Sequence, residues 1–577
     1  MKNPRVIFLY FIFVILIFIE IVKLFEVNKI EENTIVYEKI PSLRGKIYGC
    51  NNQLLATSLP FYVAYFDVDF FKRLYNPSYD LDIKLLESRF NVKIDFNKRF
   101  VKLGESFDIN VLKQKIPVEL RKFVNISINE KRLRLENFGL EQIIGIVRDG
   151  NGVNGVEKSF NEKLSKKQDG EINLKVSGGV TKEASIIQYI PPINGESIVL
   201  SIDTNIQKIL YELAFDSKIN YHAENVGIIL METKTGKIRA LVTTNNWPDY
   251  FMGYIEPGSA MKPMFYSAAL DLGVITEDST FVCKGYIYPD SDLDIKISDI
   301  HPHGLLDLKE AISESCNVAA VSTSKKIIEE YNYETLYNIF KTFGFGEQTG
   351  IELPNEIEGV LNSPDKWSKI EWAYLPIGYS IGVTPLQLIT AFNSIFNDGI
   401  LIKPTLIENG IPKKYRVMST NTANKMKKFL KEVVENGTGI FAKIPGMDIY
   451  GKTGTSEIPG KEGSYIMTFE GNFSLNNIDY TALVWVTNPE GYSLSSYVAA
   501  PIFKQVVLKL KEYYSKDNRM IYVTPGLVPN VVGWNIRQVF ALEKYFKIKF
   551  VGKGLYVKKQ FPEPGSFNEE IVVYLGE

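Results

Sequence analysis

Residues 6–25, VIFLYFIFVILIFIEIVKLF, form an apolar run broken only by Glu20 and Lys23. Twenty helical residues at about 1.5 Å each span roughly 30 Å, the thickness of a bilayer core. Lys2 and Arg5 precede the run and favour a cytoplasmic N-terminus. The following stretch, EIVKLFEVNKIEEN, is charged and bulky and offers no small-residue cleavage site. The pattern predicts a cytoplasmic tip and a retained single-pass helix over residues 1–26, with the rest of the chain outside the cytoplasm.

Beyond the run the periodicities shorten. FYVAYFDVDF (residues 61–70) alternates as a strand does, and EKRLRLE (residues 130–136) alternates Arg132 and Arg134 with Leu133 and Leu135. The second pattern predicts a strand with a solvated charged face. IVLSIDTNIQKILYELAFDSKI (residues 198–219) predicts a strand and then a helix, with Asp203 or Thr204 as N-cap. VGIILMETKTGKIRALVTT (residues 226–244) predicts a hairpin turning at TKTGK, and DYTALVWVTN (residues 479–488) another strand. PPINGES (residues 191–197) punctuates the chain, and EYYSKDNRM (residues 512–520) is a polar connector. The expected domains are a mixed pedestal over 27–195, a main domain over 196–514 and a small unit over 521–577. Antiparallel strands with helices between them predict an α+β fold.

A length of 577 residues agrees with several domains, and 45% apolar with 23% charged residues is ordinary globular composition. The net charge of -1 supplies no basic field for nucleic acid. Three cysteines (Cys50, Cys283, Cys316) lack C-x-x-C spacing, so neither a metal site nor a cofactor is expected. Their odd number argues against a disulfide framework. Cys316 is expected only to pack.

Three short motifs carry chemistry. EPGSAMKPMFYSAALDLG (residues 256–273) places Ser259 and Lys262 three apart, on one face of a helix, with Pro257 and Gly258 at its start. There, free N–H groups favour developing negative charge. Pro263 disfavours helical geometry at Lys262. AISESCNVAA (residues 311–320) holds Ser315 and Asn317, and YGKTGTSE (residues 450–457) holds Lys452, Thr453, Gly454 and Thr455. Gly454, without a side chain, is expected to let a substrate backbone approach the strand.

The order S-x-x-K, S-x-N, K-T-G resembles the penicillin-binding proteins and serine β-lactamases, and most closely a class B penicillin-binding protein, a peptidoglycan DD-transpeptidase. RGKIYGCNNQLLAT (residues 44–57) resembles the class B signature R-G-x-I-x-D-R-N-G-x-x-L-A, with Gly49, Cys50 and Asn52 in place of its Asp, Arg and Gly. GVNGVEKSFNEKL (152–164), IGYSIGVTPLQLITAFNSIFNDG (377–399), and VPNVVGWNIRQV (528–539) with QFPEPGS (560–566) resemble further family segments, the last two a PASTA domain.

The resemblance implies an antiparallel sheet flanked by helices, a membrane anchor and pedestal before it, and a PASTA domain after it. It implies Ser259 as nucleophile, Lys262 as base, and Ser315 as proton relay. Asn317 would orient Lys262 and the substrate amide, while Lys452 supports the relay. Thr453 and Thr455 would hold the substrate carboxylate, and the N–H groups of Ser259 and Thr455 would form the oxyanion hole. A serine needs a base, and a lysine titrating near 10.4 needs burial or a neighbouring cation, such as Lys452, to serve. The implied partners are stem peptides, β-lactams, the membrane and a polytopic membrane glycosyltransferase. The alternatives are a non-catalytic scaffold or β-lactam sensor, a carboxypeptidase and a β-lactamase.

Two other matches fail. IPGMDIYGKTGT (residues 444–455) fits G-x-x-x-x-G-K-[ST], but GTSEIPGKEGS (454–464) cannot open the helix a P-loop requires. Gly378-Tyr379-Ser380-Ile381-Gly382 fits a nucleophile elbow, but no histidine follows His303 to complete its triad. Ser380 is expected to sit in a structural turn.

Overall fold

The computed structural model describes Ile17 and residues 34–176, 184–290, 292–515, 526–540 and 542–576. The apolar run at 6–25, apart from Ile17, and the connector beyond Ser515 therefore lie outside the described residues. Among the described residues no helix is long and apolar enough to cross a membrane.

The chain divides into two compact units, and not at a single point near residue 195. The smaller contains Met1–Gly45, Ser58–Arg132 and Lys163–Glu196. In it, strands Thr34–Ile40, Gly170–Val176 and Ala184–Ile190 form an antiparallel sheet. A separate core gathers Phe66, Phe71, Leu86, Leu103, Leu120 and Phe123. The alternation read at 61–70 ends early: the strand stops at Asp67, whose carboxylate accepts from Phe70 N and starts helix Val68–Arg73. Strand Val124–Arg134 forms as expected, but its charged face is not simply solvated. Arg132 donates to Gly45 O at 2.8 Å and to Ser58 Oγ at 3.3 Å.

The larger unit holds Lys46–Thr57, Leu133–Glu162 and Ser197–Glu577. Two early segments fold into it because their backbones are bonded there. Ile47–Tyr48 pairs in parallel with Ile198–Val199, and Leu135 N donates to Leu55 O at 2.7 Å. The altered signature makes a tight turn, with Asn52 N donating to Gly49 O at 3.0 Å. Asn52 takes φ 60°, a left-handed conformation that Asn tolerates better than most residues.

The main elements that build the sheet and the site, in chain order, are α1 (Thr204–Asn220), β1 (Asn225–Glu232), β2 (Ile238–Thr243), α2 (Lys262–Asp271), α3 (Leu308–Ser313), α4 (Asn317–Glu330), α5 (Pro385–Phe396), α6 (Thr420–Glu435), β3 (Ile449–Glu457), β4 (Tyr465–Leu475), β5 (Ile478–Thr487) and α7 (Ala499–Ser515). Asp203 caps α1, accepting from Asn205 N and Ile206 N. The five strands form one antiparallel sheet in the order β2-β1-β5-β4-β3. Every residue of β1 is buried, because the sheet is covered on both faces. Ile206, Leu210 and Ala214 of α1 and Phe503, Val506 and Val507 of α7 pack one face, against Val226, Ile228, Phe469 and Val484. Burial of each such side chain is worth about 1.5–3 kcal/mol.

Helix α5 serves the other face, where Asn393 accepts from Thr481 Oγ1 at 2.6 Å. All twelve of its residues are buried, which matches its apolar circumference. Thr384 and Gln387 close a capping box at its start. The architecture is α+β, as the pattern predicted. Residues 526–576 add a three-stranded sheet, Lys547–Val551, Tyr556–Phe561 and Glu570–Gly576, over its own core of Val528, Val531, Val539, Leu542 and Ile571.

Candidate active site

The P-loop reading fails on geometry: Lys452 sits inside strand β3, at the edge of the sheet, opposite Glu470 of β4. The three motifs meet at this edge. A cavity of about 240 Å³ is lined by Ser259, Ser315, Asn317, Thr453 and Thr455, among others.

Ser259 lies in a 3-10 turn, Gly258–Met261, directly before α2. The tension read at Pro263 resolves here. Pro263 falls in the first turn of α2, where a missing N–H costs nothing, and Lys262 keeps helical φ −56°, ψ −40°. Gly258 adopts φ +56°, and its N–H donates to Gly378 O at 3.1 Å. A Cβ on Gly258 would come within 2.4 Å of Thr455 O. The turn thus rests directly on the backbone of β3.

Lys262 is fully buried. Its Nζ donates to Asn317 Oδ1 at 2.7 Å, to Ser315 Oγ at 3.3 Å and to Ser315 O. Lys452, also fully buried, donates to the same Ser315 Oγ at 2.9 Å and to Thr453 O at 3.0 Å. Two amines therefore flank one hydroxyl. Ser315 holds φ +62°, an uncommon conformation for a residue with a Cβ. Burial pushes the Lys262 ammonium down to about 8, with Asp299 and Cys316 pulling the other way. Burial, rather than a neighbouring cation, is thus its leading cause. Burial and then Lys262 push Lys452 well below the usual lysine range, opposed by Glu470. Burial pushes Glu470 well up, against the pull of Lys452.

Thr453 Oγ1 lies 2.9 Å from Thr438 Oγ1, and Thr455 Oγ1 accepts from Ser495 N at 3.2 Å. All the residues expected at the site are thus brought to one sheet edge, save that Gly454 faces inward. A Cβ there would meet Thr468 Oγ1 at 2.3 Å, Pro257 O at 2.6 Å and Ala260 Cβ at 2.9 Å. Its missing side chain makes room for the turn that carries Ser259, and not, as expected, for a substrate backbone.

Residues 226–508 match the model of the penicillin-binding protein transpeptidase domain. The chain is a class B penicillin-binding protein. It is 29% identical over 384 residues to the probable peptidoglycan D,D-transpeptidase PenA of Neisseria flavescens, covering 62% of this chain and 93% of that one. It is 26% identical over 509 residues to the stage V sporulation protein D of Bacillus subtilis, covering 78% and 77%. The crystal structure of a peptidoglycan synthetase from Bifidobacterium adolescentis shares its fold, with TM-score 0.65 at 21% identity, covering 85% of this chain and 99% of that chain.

This penicillin-binding protein also brings together residues that sequence spacing did not connect. Cys283, Asp299, His303 and Cys316 offer one ligand-type atom each, all within 4.8 Å of one another. The steps between them are 16, 4 and 13 residues (299 − 283, 303 − 299, 316 − 303), so no compact ligand motif marks them. Cys316 does more than fill space: its Sγ donates to Asp299 Oδ2 at 3.0 Å. A second omission is Glu256, which accepts from Ser380 N at 3.0 Å and holds that serine in its positive-φ turn.

Proposed function

We propose that this penicillin-binding protein cross-links peptidoglycan stem peptides as a serine D-Ala-D-Ala transpeptidase, with Ser259 as nucleophile, and that β-lactams acylate the same serine. The observation that carries the reading is the buried amine–hydroxyl–amine chain of Lys262, Ser315 and Lys452 beside Ser259. Such a chain accepts a proton at one end and delivers it at another.

In the first step Ser259 Oγ bonds to the carbonyl carbon of the penultimate D-Ala. Its proton passes to Lys262 Nζ, and Ser315 relays a proton to the leaving amine as the C–N bond breaks. Terminal D-Ala departs and an ester remains on Ser259. An amine from a neighbouring stem peptide then attacks that ester, and Ser259 recovers its proton. The N–H groups of Ser259 and Thr455 stabilise the oxyanion, an effect typically worth about 3–4 kcal/mol per donor. Thr453 and Thr455 hold the terminal carboxylate, and Asn317 orients Lys262 and the substrate amide. Because β3 ends the sheet, a stem peptide has an open edge to lie along.

The same proposal includes a single-pass anchor at residues 6–25, an extracytoplasmic catalytic domain, a pedestal before it and a PASTA domain from about residue 521. The small core of residues 526–576 supports the last of these. The proposed partner is a polytopic membrane glycosyltransferase, which would supply the glycan strands whose stem peptides this site joins.

The test is to incubate the full chain in detergent with a fluorescent penicillin and map the adduct by peptide mass spectrometry. Labelling on Ser259 is expected. D-Ala release and product dimers, measured with and without an amine acceptor, then distinguish a transpeptidase from a carboxypeptidase. A folded chain that takes up no label would be a scaffold instead.

Acylation should also depend on pH. Lys262 must be neutral to accept the proton, and it titrates at about 8. The groups facing it include Lys452, Asp299, Cys316 and His303. The acylation rate constant should rise roughly tenfold per pH unit below that value and level off above it. A flat profile from pH 6 to 9, measured by stopped-flow labelling, would remove Lys262 as the base.

A further inference from the structure

Glu470 of β4 is fully buried, and neither of its carboxyl oxygens has a hydrogen-bond partner among the described residues. A carboxyl taken out of water without hydrogen bonds is costly, and more so when ionised. The acyl-transfer steps above leave it unused. Its place in the sheet identifies what balances it. Glu470 stands directly opposite Lys452 in the β3–β4 ladder, so the two side chains leave the same face as nearest cross-strand neighbours. Two residues along the same face, Gly454 is paired with Thr468, and there the Ser259 turn covers the sheet. On its other side Glu470 is paired with Leu483 of β5, which is apolar and fully buried. Helix α5, which serves this face, and the turn Gly258–Met261 contain no acidic or basic side chain. Lys452 is the charge that acts on Glu470.

Lys452 for its part has the contacts of an ammonium. Its Nζ donates to Ser315 Oγ at 2.9 Å, to Thr453 O at 3.0 Å and to Thr453 Oγ1 at 3.5 Å, three donors to three oxygens. None of these oxygens belongs to an acid, so a buried positive charge there has to be offset from elsewhere. The charged groups acting on Lys452 are Lys262, which opposes its charge, and Glu470, which supports it. Lys262 in turn faces Asp299, Cys316 and His303. Each amine of the amine–hydroxyl–amine chain thus has its own carboxyl: Asp299 for Lys262 and Glu470 for Lys452. Burial works against the ionised form of both Lys452 and Glu470, and each favours the ionised form of the other.

We propose that Glu470 is a positioning residue for acyl transfer, the buried counter-charge that keeps Lys452 an ammonium while Lys262 works as a neutral base. The proposal rests on the acyl-transfer reading of Ser259, Lys262 and Ser315. With Glu470 ionised, Lys452 and Glu470 together are neutral. When Lys262 takes the proton of Ser259, one positive charge appears, and it faces the oxyanion formed in the same step. Without Glu470, a second uncompensated ammonium would stand across Ser315 from the first. The proton on Lys262 then passes to Ser315 Oγ as the Ser315 proton passes to the leaving amine. Lys452 keeps its three protons throughout, and its bond to Ser315 Oγ aims that hydroxyl at its acceptor. Glu470 acts through Lys452 alone.

The test is the pH profile of fluorescent-penicillin acylation, measured by stopped flow on the full chain in detergent from pH 6 to 9. The wild-type rate should rise and then stay level. In Glu470→Gln the Lys452 ammonium loses its counter-charge and gives up its proton at lower pH. The alkaline limb should move down by on the order of one to two pH units, so that at pH 9 the rate falls roughly tenfold below its maximum where wild type stays level. Glu470→Met puts an apolar chain of similar length in an apolar site. It should show the same limb at an equal or higher melting temperature, and it decides the point should the glutamine variant fail to fold. Glu470→Asp keeps the charge and should restore the level plateau. A residue needed only for packing would lower the plateau and the melting temperature without moving the limb. Glu470→Gln or Glu470→Met with the wild-type profile shape would overturn the proposal, as would an alkaline limb shared by Glu470→Asp. A wild-type chain that takes up no label would instead overturn the acyl-transfer reading on which the proposal rests.

Discussion

Lys262→Met is expected to slow covalent labelling by fluorescent penicillin about a thousandfold, within the range of 10²–10⁴ for a positioned acid–base group. The methionine keeps the length and the apolar stem of the lysine and removes only the amine. Ser259 then has no group to take its proton. Asn317 Oδ1 and the Ser315 carbonyl each lose a donor, which costs roughly 1–3 kcal/mol per buried acceptor. The loss in rate should therefore appear with a lowered melting temperature, in a chain that still folds. Ser259→Ala sets the floor, with no covalent adduct, and Ser380→Ala sets the ceiling, with labelling as in wild type. Should Lys262→Met label within tenfold of wild type at pH 8, another group is the base.

Gly378→Ala is expected to damage the site without touching any catalytic side chain. Gly378 holds φ +79°, where a Cβ costs about 1–2 kcal/mol. That Cβ would stand 2.0 Å from Gly258 O and 2.5 Å from Gly258 N, both backbone atoms with nowhere to go. Overpacking adds about 1–3 kcal/mol, so the total loss of stability should be about 3 kcal/mol. The displaced segment carries Ser259, and a shift of about 1 Å at a nucleophile costs on the order of 10²-fold in rate. Thermal melts and labelling rates measure the two effects separately. A variant that labels at the wild-type rate would show that the Ser259 turn does not depend on this contact.

The elements with strong local patterning were legible before any coordinates. The hairpin read at 226–244 is β1 and β2, and the N-cap at Asp203 is present. Ser259, Lys262, Ser315 and Asn317 each lie beside an element boundary that local chemistry specifies, such as Pro263 opening α2 and the S-x-N turn that follows α3. What remained hidden depends on tertiary contact. Nothing local says that residues 46–57 and 133–162 fold with the catalytic unit, since their bonds reach across the chain to Ile198 and Leu55. The inward aim of Gly454 follows from the register of β3 against the Ser259 turn, which spacing cannot supply. The cluster around Asp299 escaped for the same reason: a search for C-x-x-C sees only neighbours in sequence.

Ser259 is seated by backbone on backbone, through Gly258, Gly378 and Gly454, and this limits how resistance to β-lactams can arise. At these glycines a substitution cannot trim the fit of a drug while sparing the natural peptide, because any added atom collides first with the protein itself. Selective escape has to act where side chains face the groove, and Ile300, Thr438, Leu494 and Ser496 line it. Drug contacts confined to the Ser259 turn and the inner part of β3 leave the bacterium few viable exits, whereas contacts reaching that rim offer it many.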